Sequence, residues 1–259
     1  MKINVTIFLV LIFSLLLSCE KAEEEANKLD SKILIECYVF ANEPVIIRAA
    51  SVNENGHSVS SPAENAEVKL IQGNVEIPFA ESDTLPGTYY QTNLTTILAD
   101  TGLIKLSVNY KGHEHSSQAT FPPQLSGLAI STADIELLPG EVNTTIATIS
   151  WTPLGGAVGY CIFLRNVADY PALQINNNLY NSQQSHFSKI IYETSVNLKS
   201  ADFAYIGDYD IYVTAIGSEY LAMYNGYGLN NLISAPSNIE NGWGVFTAFN
   251  GQAVAVTVQ

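Results

Sequence analysis

Short runs of strand-forming character recur along this chain, and each is closed by a turn signal. Residues 31–40, SKILIECYVF, form an almost unbroken apolar run and predict a buried strand. Further strands are expected at 45–51, 66–72, 75–80, 87–93, 103–110 and 114–121. Asn55-Gly56, Ser61-Pro62, Gly73-Asn74, Pro86-Gly87 and Lys111-Gly112 mark the turns between them. In LIKLSVNY the period of two puts Leu103, Lys105, Ser107 and Asn109 on one face. Ile104, Leu106, Val108 and Tyr110 take the opposite, buried face. Several short strands at this spacing predict an antiparallel sandwich.

The segment FPPQLSG, residues 121–127, interrupts the pattern, because Pro122-Pro123 cannot lie inside a central strand. We place a domain boundary there, with one module over 31–123 and a second over 124–259. In the second, TTIATISWTPLGGAVGYCIFLRN is followed by SVNLKSADFAYIGDYDIYVTAIG. This order resembles the fibronectin type III pattern, with Trp151 as a core residue. Tyr209, Ile211 and Val213 alternate inward on the strand that carries the corner tyrosine. Asn250-Gly251 signals a C-terminal hairpin, since both residues tolerate positive φ. The expected fold class is all-β, two antiparallel β-sandwich domains of immunoglobulin/fibronectin III type.

The N-terminal stretch follows a different logic. Residues 4–17 are uncharged and mostly apolar. At about 14 residues this run is shorter than the roughly 20 that a spanning helix needs. It fits the apolar core of an export signal over 1–18. Leu16-Leu17-Ser18-Cys19 resembles a bacterial lipobox, which makes Cys19 the lipidation site and the mature N-terminus. Residues 19–30 read as an acidic tether, with five acids and two lysines from Glu20 to Asp30. Cys-Glu-Lys-Ala-Glu-Glu-Glu resembles the acidic export signals that send Bacteroidota lipoproteins to the outer face of the outer membrane. The expected location is therefore the outer membrane, lipid-anchored and facing the cell exterior.

Charge narrows the partners. The 259 residues carry a net charge of −14, with 25 acidic and 11 basic side chains. Only Arg165, Lys189 and Lys199 are basic beyond residue 123. A polyanion is repelled by such a chain, so no nucleic-acid partner is expected. With 47% hydrophobic and 14% charged residues the composition suits a packed core rather than disorder.

The lipobox, SKILIECYVF after the tether, PGTYYQT, YKGHEHSSQATFPP and the tail SNIENGWGVFTAF occur in that order. Together with the fibronectin-like middle, they resemble the Bacteroidota lipoprotein family called domain of unknown function 4249. The resemblance implies a neighbourhood of TonB-dependent outer-membrane receptors and a role in uptake or surface binding. It carries over no catalytic residue.

The remaining candidate chemistry is sparse. Cys37 and Cys161 fall in strands of different modules and are expected as buried free thiols. His113 and His115, in GHEHS, are two apart and could form half of a metal site, but their place beside Gly112 favours exposed turn histidines. His57 and His186 are isolated. Asp208 and Asp210 flank Tyr209 and are expected on a solvated strand face. Neither a GxSxG elbow nor a phosphate-binding GxxxxGK[ST] occurs, so no enzymatic activity, cofactor or metal is expected. Asp83-Thr84-Leu85 resembles a short O-glycosylation motif. An Asn- and Gln-rich insertion is expected over 166–187. SEYLAMYNGYGLNN, residues 218–231, reads as a long aromatic loop. Tyr220, Tyr224 and Tyr227, together with Trp243, could present flat rings to a small molecule, peptide, glycan or protein, or could cap the sandwich core. The functional expectation is a non-catalytic binding accessory, with a TonB-dependent receptor as partner. A structural or adhesive surface protein is the first alternative, and a hydrolase the remote one.

Overall fold

The computed structural model describes residues 32–53, 59–92, 101–137, 143–167, 187–225 and 235–259. Cys19, Tyr227, His57 and His186 lie outside these residues, as do the whole signal and tether through residue 31.

The first half carries β1 (Ile33–Phe40), β2 (Ile46–Val52), β3 (Val59–Pro62), β4 (Glu67–Gln72) and β5 (Val75–Glu81). β6 (Thr88–Gln91), β7 (Leu103–Tyr110) and β8 (His113–Thr120) complete it. In β1 the alternation is clean: Ile33, Ile35, Cys37 and Val39 are buried, while Leu34, Glu36, Tyr38 and Phe40 point outward and are half-buried. In β7 Ile104, Leu106, Val108 and Tyr110 are buried as the pattern predicted.

The second half carries β9 (Ala129–Ile130), β10 (Asp134–Ile135), β11 (Thr145–Ser150), β12 (Tyr160–Asn166), β13 (Phe187–Ile191) and β14 (Ser195–Lys199). After β15 (Gly207–Ala215) comes one α-helix, α1 (Ser218–Asn225), and then β16 (Trp243–Phe249) and β17 (Gly251–Val258). A three-stranded sheet, β14-β11-β9, accompanies a five-stranded one, β10-β17-β15-β12-β13. This division is that of a fibronectin III-like sandwich with one short strand added at an edge. Trp151 is buried and meets Tyr160 edge-on with ring centroids 5.2 Å apart. Tyr209 is the corner tyrosine: its hydroxyl donates to Tyr205 O at 2.9 Å and accepts from Tyr205 N at 3.0 Å.

Two expectations are corrected by the strand pairing. The first half is not a two-sheet sandwich. It is one nine-stranded sheet, ordered β16-β1-β2-β6-β5-β4-β7-β8 with β3 beside β2, that curls until it is nearly a barrel. The closing strand comes from the far end of the chain: β16 runs parallel to β1, with Cys37 opposite Phe246 and Phe40 opposite Phe249. The boundary at 121–127 assigns these residues to the second module. Asn250-Gly251, accordingly, makes no hairpin. β16 belongs to the first sheet, whereas β17 pairs antiparallel with β15 in the second. Neither Asn250 nor Gly251 has the positive φ that a type I′ turn requires. The dipeptide is a crossover between sheets, held where Gly251 N donates to Tyr212 Oη at 2.6 Å.

The tail motif explains the closure. Asn238 clamps Phe246, donating from Nδ2 to its O at 2.7 Å and accepting from its N at Oδ1 at 2.9 Å. Residues 238–241 then zip onto β8. Ser117 Oγ donates to Asn238 O at 2.6 Å, Glu240 N to Ser116 O at 2.7 Å, and Asn241 Nδ2 to Glu114 O at 3.2 Å. His115 sits in this seam, 1% exposed, with Nδ1 3.1 Å from Asn241 O. That corrects the expectation of an exposed turn histidine: β8 begins at His113, so the second histidine falls on its inward face while His113 stays exposed. Gly244 has φ +111° and lies against Ile35 O, where any side chain would collide with the parallel partner strand.

The two halves meet through their outer faces. Tyr38, Phe40 and Phe249 from the first sheet interlock with Cys161, Phe163 and Tyr212 of the second, and with Tyr220 of α1. Phe40 lies 5.3 Å from Phe163 and 5.6 Å from Tyr212, centroid to centroid. Edge-to-face contacts at these spacings are favourable beyond their buried area.

Candidate functional site

Of the aromatic candidates, Tyr220, Tyr224 and Trp243 are described, and these three do not come together at one surface. Residues 218–225 form a helix rather than a loop, and Tyr220 is buried at its inner face, 5.1 Å from Phe249 and 6.2 Å from Tyr38. Its ring is part of the junction between sheets. Tyr224 is 40% exposed on the same helix. Trp243 lies at the opposite end of β16 from Phe249, about 20 Å away at roughly 3.3 Å per residue.

The other sequence candidates are placed as follows. Cys37 and Cys161 are free and buried, as expected. Burial pushes both thiols up, that of Cys161 to about 12, against the weaker opposing hydrogen bond from Tyr220. Asp208 is exposed and accepts from Thr257 Oγ1 at 2.8 Å; Asp210 stands opposite Arg165 in register. Asp83, Thr84 and Leu85 are exposed. The Asn- and Gln-rich segment joins β12 to β13, and its residues 168–186 lie outside the described ones. Among the described residues no group of three or more His, Cys, Asp or Glu side chains is placed to hold a metal.

Trp243 leads to a different site. It is paired with Leu34, so both side chains leave the outer face of the first sheet. The row continues across β2 and β3 as Ala50 and Pro62. The next row sets Glu36 opposite Arg48 and Arg48 opposite Thr88. Between these rows lies an open cleft of about 460 Å³. That is within the roughly 300–1,000 Å³ of small-molecule sites. Its lining joins one carboxylate, one guanidinium, the hydroxyls of Ser60 and Thr88, and an apolar floor of Leu34, Ala50 and Pro62. Trp243 stands beside Leu34, half-buried, with Lys32 Nζ 4.8 Å from its ring centroid.

The cleft owes its shape to two strands that share one edge. β6 pairs with the first part of β2 and β3 with the last, leaving a notch between Pro62 and Gly87. Gly87 has φ +72°, and a Cβ there would stand 2.5 Å from Ala49 O. Glu81 staples the wall with both oxygens: Oε1 accepts from Gly87 N and Oε2 from Asn65 N, each at 2.7 Å. Tyr89 adds a second tie, donating to Ala63 O and accepting from Ala66 N at 2.9 Å. Ser51 Oγ, 2.9 Å from Ser60 Oγ and 2.7 Å from Ser61 Oγ, fixes the other wall.

Sequence reasoning missed Glu36, Arg48 and Glu81. Pro86-Gly87 and Ser61-Pro62 were legible as turns, and Ser61-Pro62 turns out to end a strand. The cross-strand register that sets Glu36 beside Arg48 has no local signal.

No family model matches the sequence, and no curated protein matches it. Among solved structures the chain is similar to the FN1–FN3 domains of chicken CNTN1, at 11% identity and a TM-score of 0.27, covering 87% of this chain and 64% of that one. It is also similar to the BSP domain of a biofilm-associated protein, at 9% identity and a TM-score of 0.26, covering 87% of this chain and 30% of that one. This chain thus spans under two thirds of either protein's length. The fibronectin III-like assignment of the second half rests on its own strand pairing, core tryptophan and corner tyrosine.

Proposed function

We propose that this protein is a lipid-anchored outer-membrane protein of the cell exterior, related to the family called domain of unknown function 4249. It acts as a non-catalytic binding accessory to a TonB-dependent receptor in nutrient uptake. The observation that carries the reading is the outer-face cleft lined by Leu34, Glu36 and Arg48. The export signal with Cys19 and the order of the sequence motifs support the location. Several acyl chains on Cys19 hold a protein at a bilayer where one alone binds weakly.

The test is affinity purification from gently solubilised outer membranes. A β-barrel receptor should co-purify with the wild-type protein, and Cys19→Ala should release it from the membrane fraction. Recovery of the lipoprotein alone overturns the accessory role. Loss of cell attachment on deletion, with uptake intact, points instead to an adhesin.

A further inference from the structure

The geometry points to a small zwitterion of amino-acid type, with an apolar side chain, as the ligand of the outer-face cleft; this rests on the binding role proposed above. Glu36 and Arg48 face each other across β1 and β2, which places their Cα atoms about 4.5–5.5 Å apart. Both side chains leave the same face. Arg48 is exposed and Glu36 half-buried, and neither is drawn into a hydrogen bond or ion pair with another described residue. Elsewhere the protein does pair such groups, as with Arg165 and Glu43.

A guanidinium reads a carboxylate through two parallel N–H donors, and a carboxylate accepts from an ammonium. One of each, side by side, is complementary to a molecule that carries both charges close together. Long-range charge favours the same choice. At −14 the chain repels a bare anion, and a bare cation would leave Arg48 without a counterpart. A neutral zwitterion meets neither cost. Ser60 and Thr88 supply hydroxyls at the rim. Leu34, Ala50, Val59 and Pro62 provide an apolar wall for a side chain. Both charged groups are open to water, so binding is weak and reversible, in keeping with a protein that passes its ligand on.

The test is calorimetric titration of the full chain, extracted in mild detergent, with L-leucine as probe. Saturable binding is expected at or below about 10 mM. N-acetyl-leucine lacks the ammonium and leucinamide lacks the carboxylate, and each should bind at least about tenfold more weakly. Arg48→Gln and Glu36→Gln should each weaken leucine by a similar factor while leaving the melting temperature unchanged, since both side chains are at the surface. No saturable signal, an affinity for either singly charged analogue equal to that for leucine, or unchanged binding by both variants overturns the assignment. The analogue comparison needs only the wild-type protein and stands whatever the variants do. Failure here with the receptor still co-purifying removes the ligand assignment alone. Leucine binding without a receptor removes the accessory role alone.

Discussion

Arg165 forks onto Glu43 across the junction of the two sheets, with Nη1 and Nη2 each 3.1 Å from a carboxylate oxygen. The guanidinium carbon also lies 5.8 Å from the Phe40 ring centre. Both side chains of the pair are about one third exposed (34% and 35%), so solvent screens the pair and its removal should cost little. The aromatic cluster beneath it holds the halves together.

This division of labour is testable by calorimetry. The wild-type protein should unfold in one transition, because β16 and β17 tie the sheets through a single unbroken chain and a shared core. Phe249 is fully buried at the centre of that core. Phe249→Ala should cost about 3–5 kcal/mol and separate the transition into two. Arg165→Ala should cost below about 1 kcal/mol and leave one transition. Equal effects from the two variants would contradict the assignment.

The same junction should fail in alkali. Burial pushes Tyr38 up to about 12, with Glu36 adding to the shift, and burial does the same to Tyr212. A tyrosine in the unfolded chain ionises near about 10. Because the folded values are raised, the stabilisation is fully present below about pH 10 and is lost as pH rises through about 12. Tyrosinate absorbance should therefore rise in two stages, the exposed rings first and the junction rings together with unfolding. A single stage near pH 10 without unfolding would refute this.

Thiol reactivity reports on the same cores. Cys37 and Cys161 are buried and their thiols are pushed up by desolvation. Alkylation at about pH 8.5 should not touch either in the native protein, and both should react once denaturant is added. Labelling of the native protein would place one of them at the surface.

The cleft wall gives a local test. Glu81 holds Gly87 and Asn65 through its two oxygens, and Gln keeps only one acceptor. Glu81→Gln should speed amide exchange at Gly87 and Asn65 and weaken ligand binding, with little change at the junction. Tyr220→Ala and Tyr224→Ala extend the contrast. The first removes a junction ring and should cost about 2–4 kcal/mol; the second, on the exposed side of α1, should stay within about 0.5 kcal/mol.

By itself the sequence determined most strands of the first half, because burial on one face imposes a period of two that each segment carries locally. The boundaries at 33–40, 103–110 and 113–120 fall within two residues of the pattern. Trp151 and Tyr209 were legible for the same reason: each serves a role within a short stretch of its own module. The all-β class followed from these local signals.

Tertiary structure decided what depends on partners distant in the chain. Asn250-Gly251 carries the composition of a hairpin, yet its flanking strands find better partners in two different sheets, β1 and β15. His115 looks exposed in sequence and Tyr220 could be surface or core; both are buried, because residues 238–249 return to cover them. The cleft exists only once Glu36, Arg48 and Thr88 come into one row. Periodicity is written in neighbouring residues, whereas strand order and register are chosen by the free energy of the whole packed sheet.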